Sequence, residues 1–527
     1  MSTSDPLPDP PAPMNGAESL VHTLAASGVE LCFANPGTSE MHFVAALDRI
    51  AGPRCVLALF EGVVTGAADG YWRMAGKPAA TLLHLGPGLG NGLANLHNAG
   101  KARSGIVNIV GDHALAHARF ESPLKSDAEG VARSVSAWVR SSGSAAQVGA
   151  DGAAAVEAAR DGALGRIATL LLPADTAWGA GGRPAVAAAP PPPDVVLDAV
   201  PAAARLLQQL GPRAVLLLGA GGAAGEGAQR LAAAIGARTG CRVLTEFYNA
   251  RMAGGRGRPR IERLPYAVDA AQACLADAQA LVLAGSREPI AFFAYPGKPS
   301  QLKPPGAALL TLAAPQHDVP AALQALADEL GASAAPTPVA VLPESPSGGL
   351  TAEAITAAVA LALPEQAVII DEGITGGRGL TGRLGGAAPH EVLAVMGGAI
   401  GWGLPGAVGA ALGAPGRPVL ALEGDGSAMY TLQALWTMAR ESLPVVVLVF
   451  ANRAYRILQG ELQGVGARIS GHKAADLLSL DRPPLDWLAL ARGHGVPGVR
   501  VDTAQALLQA LRDGFASRGP WLIEAMV

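Results

Sequence analysis

An acidic residue and an amide follow two apolar segments in the C-terminal third of the chain. Asp425 stands in the sequence Gly-Asp-Gly directly after the apolar segment 419–422, and Asn452 closely follows the β-branched segment 445–450. Carboxylate and amide oxygens are the ligands that Mg²⁺ takes together with phosphate oxygens and water. Gly424 and Gly426 allow the backbone to come close to a phosphate, and a new helix would direct its N–H groups at negative charge. We interpret this segment as a metal–diphosphate site, the alternative being an ordinary glycine turn.

The elements around these residues would bring them together. Residues 432–439 between the two apolar segments place Leu432, Leu435 and Trp436 at helical spacing, which predicts a strand–helix–strand unit. Such a crossover places both candidate ligands at the carboxyl ends of neighbouring parallel strands, where open α/β sheets bind their ligands.

Two further ionisable residues follow strand-like segments near the N-terminus. The strand-like segment 55–60 is followed by Glu61, and segment 79–83 is followed by His84. The glycine-rich stretch 86–92 comes next, and we predict it to be a loop. Glu61 could be a catalytic carboxylate or only a helix N-terminal residue favoured by the dipole. His84 could be catalytic or a partly buried structural histidine.

Composition excludes several classes of protein. The 527 residues carry a net charge of −4 with no basic tract, so a nucleic-acid-binding surface is not expected. Four cysteines without a CxxC pair form no disulfide framework, which favours a reducing, cytoplasmic location. Residues 1–13 are polar and Pro-rich and are predicted to be a disordered tail. The uncharged segment 392–416 is long enough to cross a membrane, but its glycines and prolines favour a buried loop and helix.

Two Pro-rich segments, 185–193 and 332–349, are predicted linkers. They divide the chain into three domains, 14–184, 194–331 and 350–527, each of ordinary domain size. Each domain alternates helix-like and strand-like patterns. The expected fold class is therefore α/β, with three doubly wound domains built on mainly parallel sheets.

The motifs resemble those of a known enzyme superfamily. GDG followed by about 25 residues and Asn, the segments GDGSAMYTLQALWT and NRAYRIL, and the segment EGVVTGAADGYWRMAGKPAATLLHLGPGLGNGLANLHNA are similar to the thiamine-diphosphate (ThDP)-dependent superfamily. That superfamily contains acetolactate synthases, benzoylformate decarboxylases and pyruvate decarboxylases. The resemblance implies ThDP and Mg²⁺ as cofactors, with the first domain binding the pyrimidine ring and the third domain the diphosphate.

The resemblance also implies roles for single residues. Glu61 matches the catalytic glutamate that hydrogen-bonds the pyrimidine ring, and His84 and Thr38 match residues facing the substrate. Matches to the metal ligands are Asp425, Asn452 and the backbone carbonyl of Ala454. The remaining cofactor-binding matches are Gly373, Thr375, Gly398, Ile400, Gly424, Gly426, Ser427 and Tyr455.

The sequence departs from its relatives around the expected substrate. His113 and His117 are not adjacent, unlike the double histidine of pyruvate decarboxylases, and could line the site or cap a helix. The loop of Phe292 lacks the histidine of benzoylformate decarboxylases. Ile457 and Glu461 lie where the superfamily shapes substrate choice, and bulky Ile457 suggests a small acyl donor such as pyruvate.

The middle domain carries a partial dinucleotide fingerprint, GxGxxA from Gly219, after an apolar segment. We find no acidic residue closing a following strand at the usual offset and favour a structural turn. FAD, which acetolactate synthases bind in this domain, is open but unsupported. An NAD-dependent dehydrogenase built on this fingerprint is one alternative function.

The expected activity is decarboxylation of a small 2-oxo acid, followed by protonation to an aldehyde or by carboligation to a 2-hydroxy ketone. The resemblance implies at least a homodimer and typically a homotetramer, with no nucleic-acid or membrane partner. A non-catalytic subunit with the same fold is a second alternative.

Overall fold

The computed structural model describes residues 13–161, 164–333, 341–467 and 471–527. Most of the predicted N-terminal tail and residues 334–340 of the second predicted linker therefore lie outside the described residues. Three α/β domains with mainly parallel sheets are present, as expected. The two linker boundaries remain predictions.

The first sheet is parallel throughout, in the order β2-β1-β3-β4-β8-β5. The strands of this part of the chain are β1 Leu31–Asn35, β2 Arg54–Leu57, β3 Ala79–Leu83, β4 Ile106–Asp112, β5 Trp138–Ser141, β6 Arg160–Asp161, β7 Leu164–Gly165 and β8 Ile167–Pro173. The helices are α1 Gly16–Ala26, α2 Met41–Arg49, α3 Glu61–Ala75, α4 Leu85–Ala102, α5 Ala128–Arg133, α6 Ala145–Ala159 and α7 Ala174–Trp178. A short 3₁₀ helix, Thr38–Glu40, precedes α2.

The second sheet is also parallel, in the order β12-β10-β9-β13-β14. The strands of the middle part of the chain are β9 Ala214–Leu218, β10 Arg242–Thr245, β11 Met252–Gly254, β12 Glu262–Arg263, β13 Ala280–Ala284 and β14 Ala308–Ala313. The helices are α8 Val200–Leu210, α9 Ala220–Ala224, α10 Glu226–Thr239, α11 Val268–Leu275 and α12 Val319–Leu330, and a 3₁₀ helix spans Gly211–Arg213.

The third sheet has the order β11-β16-β15-β17-β18-β20-β19, in which only β11, from the middle part of the chain, is antiparallel to its neighbour. The strands are β15 Ala367–Glu372, β16 His390–Ala394, β17 Val419–Gly424, β18 Val445–Ala451, β19 Gly498–Val501 and β20 Trp521–Met526. The helices are α13 Ala352–Ala362, α14 Gly403–Gly413, α15 Asp425–Ala428, α16 Ala434–Arg440, α17 Arg456–Gly464, α18 His472–Leu477, α19 Trp487–Gly493 and α20 Ala504–Ala516. A 3₁₀ helix spans Thr381–Arg383.

One hydrophobic core is shared by the first and third domains. It includes side chains of α3 and α14, with Trp402 fully buried between the domains. Glycines allow these two helices to approach closely: a Cβ on Gly409 would lie 1.9 Å from Ala67 O, and one on Gly70 would lie 2.2 Å from Gly406 O. The two domains are therefore packed together within a single chain.

The structure corrects two local predictions. The glycine-rich stretch 86–92 is not a loop but the first part of α4. Gly92 serves close packing, because a Cβ there would lie 2.8 Å from the Thr65 side chain. The helix predicted after Gly-Asp-Gly is divided into two short helices, α15 and α16. In the turn between them, Thr431 Oγ1 donates a hydrogen bond to Gly401 O at 2.9 Å.

The uncharged segment 392–416 contains the end of β16, a glycine-rich loop and the helix α14. Within the described ranges no helix is both long enough and apolar enough to cross a membrane.

Candidate cofactor and active site

Asp425 and Asn452 lie at the same edge of the third sheet. The strands β17 and β18 are parallel neighbours, and each candidate ligand follows one of them. Asp425 Oδ1 accepts a hydrogen bond from Gly426 N at 2.9 Å, and its Oδ2 accepts one from Arg453 N at 2.6 Å. Asn452 Oδ1 accepts from Ala454 N at 3.0 Å. Because a carboxylate offers about four acceptor sites, Asp425 keeps lone pairs for a metal ion.

Burial raises the pKa of Asp425, and its backbone hydrogen bonds act in the opposite direction. Among the described residues the carbonyl oxygen of Ala454 has no hydrogen-bond partner. A carboxylate, an amide oxygen and a free carbonyl oxygen form a donor set that fits Mg²⁺.

A cavity opens over this edge of the sheet. Its walls hold most of the residues that the sequence assigned to the diphosphate and the metal. The lining residues are Gly373, Ile374, Thr375, Ile400, Gly424, Asp425, Gly426, Ser427, Asn452, Ala454, Tyr455, Arg456 and Ile457.

Glycine and serine shape the floor of the cavity. A Cβ on Gly426 would lie 2.5 Å from the Tyr455 ring, so this ring packs on the bare backbone. Ser427 Oγ donates to Gly424 O and accepts from Gly424 N, both at 3.1 Å, which fixes the turn that opens α15.

The loop 397–401 forms another wall. Ile400 lines the cavity, whereas Gly398 is not among its lining residues. Gly398 has a φ of +74°, and a Cβ there would lie 2.6 Å from the ring of Phe292. A side chain at this position would be both strained and obstructed. The loop of Phe292, in the middle domain, therefore lies against the loop 397–401, which we call the cofactor loop.

In the first domain, the side chains of Glu61 and His84 both pack against Gly88. Glu61 begins α3, is 6% exposed, and accepts a hydrogen bond from Asn91 Nδ2 at 2.9 Å through Oε2. A Cβ on Gly88 would lie 2.9 Å from Glu61 Oε1 and 3.3 Å from His84 Cβ. Both candidate catalytic residues thus flank the first turn of α4.

Glu40 is a residue that the sequence analysis missed. Its side chain is buried, and Oε2 lies 2.9 Å from His84 Nδ1 and accepts from Gly37 N at 2.7 Å. The other oxygen, Oε1, has no partner among the described residues and lies against Gly111. Thr38 begins the same 3₁₀ helix and is exposed. An acidic residue two positions after Thr38 was the available signal.

Two buried carboxylates behind the cavity were also missed. Glu372 and Glu423 are register partners on β15 and β17. A Cβ on Gly403 would lie 2.1 Å from Glu423 Oε1 and 2.9 Å from Glu372 Oε2. Glu372 accepts from Gly401 N at 2.7 Å and from Gly403 N, whereas no described group donates to Glu423 within hydrogen-bond geometry.

The pKa values of both carboxyls are raised. Burial raises the pKa of Glu372 to about 7 against the opposing effect of its backbone donors. Burial, followed by the charge of Glu372, raises the pKa of Glu423 well above its usual range. Both residues end strands in the sequence, Glu423 directly before Gly-Asp-Gly, and this position was the signal.

The candidate substrate residues occupy different environments. Ile457 lines the cavity, but Glu461, one turn later on α17, accepts from Tyr295 Oη at 2.9 Å and from Tyr266 Oη at 3.4 Å. Glu461 therefore attaches α17 to the middle domain.

The candidate histidines lie on the loop after β4. His113 Nε2 lies 3.1 Å from Ser122 Oγ, and the rings of His113 and His117 are 5.7 Å apart. Neither ring is among the residues that line the cavity.

The glycine turn after β9 is covered by protein. Contrary to the sequence prediction, an acidic residue, Glu246, directly follows β10. A Cβ on Gly219 would lie 2.7 Å from both Glu246 Oε2 and Gly285 O. Burial raises the pKa of Glu246. FAD at this turn remains a prediction without support.

Comparisons with known proteins identify the family of the first and third domains. Residues 14–131 match the family "Thiamine pyrophosphate enzyme, N-terminal TPP binding domain", and residues 385–525 match its C-terminal TPP binding domain. IlvX of Mycobacterium tuberculosis, named provisionally as an acetolactate synthase large subunit, is 50% identical over 98% of this chain and 99% of its own.

Benzoylformate decarboxylase of Pseudomonas aeruginosa is 30% identical over 95% of this chain and 96% of its own. Among solved structures, the ThDP-dependent 4-hydroxybenzoylformate decarboxylase of Rhodococcus jostii RHA1 superposes with a TM-score of 0.84 at 25% identity. That alignment covers 98% of this chain and 99% of the other. The chain therefore belongs to the thiamine pyrophosphate enzyme family, in the group of acetolactate synthases and benzoylformate decarboxylases.

Proposed function

We propose that this ThDP-dependent enzyme decarboxylates a small 2-oxo acid with the help of Mg²⁺. The product would be an aldehyde after protonation, or a 2-hydroxy ketone after addition to a second carbonyl compound. When bound, ThDP supplies a nucleophilic carbon that attacks the keto carbon and accepts the electrons released with CO₂. The protein supplies binding, orientation and proton transfer.

The observation that carries the proposal is the donor set at the edge of the third sheet. Asp425, Asn452 and the free carbonyl of Ala454 would hold Mg²⁺, and the metal would neutralise the diphosphate. The backbone around Gly424 and Gly426, with the hydroxyls of Thr375 and Ser427, would surround the phosphate oxygens. The ring of Tyr455, which packs on Gly426, would form part of the floor of the cavity.

Glu61 would act on the pyrimidine ring. A buried carboxyl oriented by the amide of Asn91 can share a proton with a ring nitrogen. Oε1 of Glu61 faces the bare backbone of Gly88 and would be the oxygen available to the cofactor.

His84 would handle protons on the substrate side. Its Nδ1 is held by Glu40, so Nε2 is the nitrogen left to exchange a proton with substrate. Glu40 would therefore fix the orientation of the imidazole, and exposed Thr38 would contact the substrate carboxylate.

The cavity wall supports a small acyl donor. Ile457 is the bulky apolar side chain that α17 contributes to the cavity, next to Arg456, and its position would limit the space for a large substituent. A pyruvate-like acid would fit beside it better than an aromatic 2-oxo acid.

A second subunit would complete the site. All residues that line the cavity belong to the third domain, while Glu61 and His84 lie on the first. Leu59, two residues before Glu61, is 47% exposed, and Tyr430, beside the cofactor loop, is 53% exposed. Exposed apolar side chains next to both half-sites would be buried by a partner. We therefore propose a homodimer as the minimal active unit.

The test is a reaction panel. Purified protein with ThDP and Mg²⁺ would be incubated with pyruvate, longer aliphatic 2-oxo acids and benzoylformate, with and without an aldehyde acceptor, and the products identified by NMR. We expect CO₂ release to be fastest with pyruvate. No CO₂ from any acid would contradict the proposed activity, and a preference for benzoylformate would contradict the proposed substrate.

A Glu61→Gln variant tests the catalytic assignment. Glutamine keeps the hydrogen bond from Asn91 within reach but cannot exchange the proton, so we expect turnover to fall at least about 100-fold. ThDP binding, measured by calorimetry, should persist. Near-normal turnover with bound cofactor would show that Glu61 is not the catalytic glutamate.

A further inference from the structure

A helix of the first domain holds the cofactor loop of the third domain in the same chain. Asn98, on α4, forms a two-way contact with Ala399: its Oδ1 accepts from Ala399 N at 3.2 Å, and its Nδ2 donates to Ala399 O at 2.8 Å. His97 Nε2, one residue earlier, lies 3.1 Å from Gly397 O.

The next anchored residue of the loop is Gly401. Its carbonyl accepts from Asn95 Nδ2 at 3.2 Å and from Thr431 Oγ1 at 2.9 Å. Its N–H donates to Glu372 Oε1 at 2.7 Å. Gly401 is thus held by α4, by the α15–α16 turn and by the end of β15.

The anchors fall on every second residue of the loop. Residues 397, 399 and 401 are bound to the protein, whereas among the described residues the backbone groups of Gly398 and Ile400 have no hydrogen-bond partner. The backbone groups of Gly398 and Ile400 are therefore left for a ligand, and Ile400 lines the cavity.

The two asparagines are fully used by these contacts. Asn98 is 0% exposed and Asn95 is 2% exposed, and Asn98 Nδ2 also donates to Asn95 Oδ1 at 3.0 Å. Asn95 Nδ2 further donates to Gly62 O at 2.8 Å, directly beside Glu61. Asparagine is unfavourable inside a helix, and burial of its amide is costly unless all its groups are paired. Nothing in the packing of α4 itself requires an amide here.

We propose that Asn98, supported by Asn95, is a positioning residue for ThDP. It fixes the loop 397–401 so that Gly398 and Ile400 face the cofactor, before the cofactor binds. This inference rests on the proposed function, because it takes Gly398 and Ile400 to be the ThDP contacts that the resemblance implies. It adds that the first domain fixes the conformation of the cofactor loop, 397–401, in the same chain.

The experiment compares the holoenzyme with an Asn98→Ala variant. Calorimetric titration of ThDP at saturating Mg²⁺ should give a dissociation constant at least tenfold higher for the variant. Asn98→Asp should be weaker still, because a second carboxylate oxygen would face the carbonyl of Ala399. In the cofactor-free protein, hydrogen exchange of a peptide covering 397–401 should speed up in both variants.

Gln229→Glu is the matched control. Gln229 is fully buried in the middle domain, and its Nε2 donates to Ala223 O at 2.7 Å, so this change also places a carboxylate against a carbonyl. It should lower the melting temperature yet leave the ThDP dissociation constant unchanged. A merely structural role for Asn98 predicts the same behaviour for Asn98→Ala.

Thr431→Val serves where Asn98→Ala fails to fold. It is close to isosteric and removes one anchor of Gly401, and we expect about threefold weaker ThDP binding. Unchanged binding in whichever folded variant is tested overturns the inference while leaving the proposed function intact. A wild-type protein that binds no ThDP overturns the proposed function and the inference together.

Discussion

Replacing Glu423 by glutamine should stabilise the protein, and the gain should depend on pH. The carboxyl of Glu423 is fully buried, has no hydrogen-bond donor among the described residues, and lies beside Glu372. Burial and this neighbour raise its pKa well above the usual range. Glutamine has nearly the same shape, carries no charge, and can donate its amide hydrogen to Glu372.

The sign and size follow from proton linkage. With a raised pKa, folded Glu423 keeps a proton that the unfolded chain has lost, so stability falls as pH rises above the unfolded value. Each such group contributes a slope of about 1.4 kcal/mol per pH unit. The folded protein therefore retains the proton on Glu423 above the usual pH range of a carboxyl group. Above the unfolded pKa the Glu423→Gln variant should therefore gain up to about 1.4 kcal/mol per pH unit over the wild type.

The assay is urea unfolding followed by tryptophan fluorescence, without Mg²⁺ or ThDP, at half-unit steps from pH 5 to pH 8. Trp402, fully buried next to the Glu372 donors Gly401 and Gly403, reports on this region. Glu365→Gln is the control: its carboxylate is 60% exposed in an ion pair with Arg256, so its curve should run parallel to the wild type. Parallel curves for Glu423→Gln as well would refute the reasoning.

Three further changes test the site. Glu40→Gln removes the charge that holds His84 Nδ1 and should lower kcat about tenfold in steady-state assays, whereas full activity would remove Glu40 from the mechanism. Ile457→Ala should raise kcat/KM for benzoylformate relative to pyruvate about tenfold, and an unchanged ratio would show that Ile457 does not limit substrate size. Glu461→Gln weakens the hydrogen bonds from Tyr295 and Tyr266. It should lower the free energy of unfolding in urea by about 1 kcal/mol with no change in ThDP affinity.

The fold, and the proximity of Asp425 to Asn452, could be predicted because each rests on local patterns. Alternating apolar and helical segments specify α/β layers, and a turn after a buried strand locates a ligand edge without knowledge of distant contacts. Asp425 and Asn452 could be paired because only one crossover separates their strands.

Residues that act through pairing across the sheet were not predictable in the same way. Glu40 follows β1 and His84 follows β3, and they meet because those strands are neighbours, although β2 lies between them in the chain. Glu372 and Glu423 meet because β15 and β17 are adjacent, with β16 between them in the chain. Strand order in a parallel sheet depends on how the crossovers wind, and no residue-level pattern specifies it.

Glycines misled the sequence prediction for a related reason. In 86–92 they suggested a flexible loop, yet the structure is helical, and Gly88 is bare because Glu61 and His84 pack against it. A glycine required by a partner distant in sequence looks the same as a glycine required by a turn. Only the three-dimensional arrangement separates these two causes.

The raised pKa values explain how an anion-binding edge tolerates so many carboxyls. Asp425, Glu372 and Glu423 all lie beside or behind the cavity, and three full charges there would repel a diphosphate. Burial raises the pKa of Asp425 too, but two backbone N–H groups donate to this carboxylate and oppose that rise, and the ionised form would be needed as a metal ligand. The other two are buried away from solvent, and their raised pKa values favour the uncharged forms. This edge of the third sheet can then present the Asp425 carboxylate to the metal, while Glu372 holds the loop 397–401 through Gly401. The adjacent strands β15 and β17 therefore set both the charge at the site and the position of this loop.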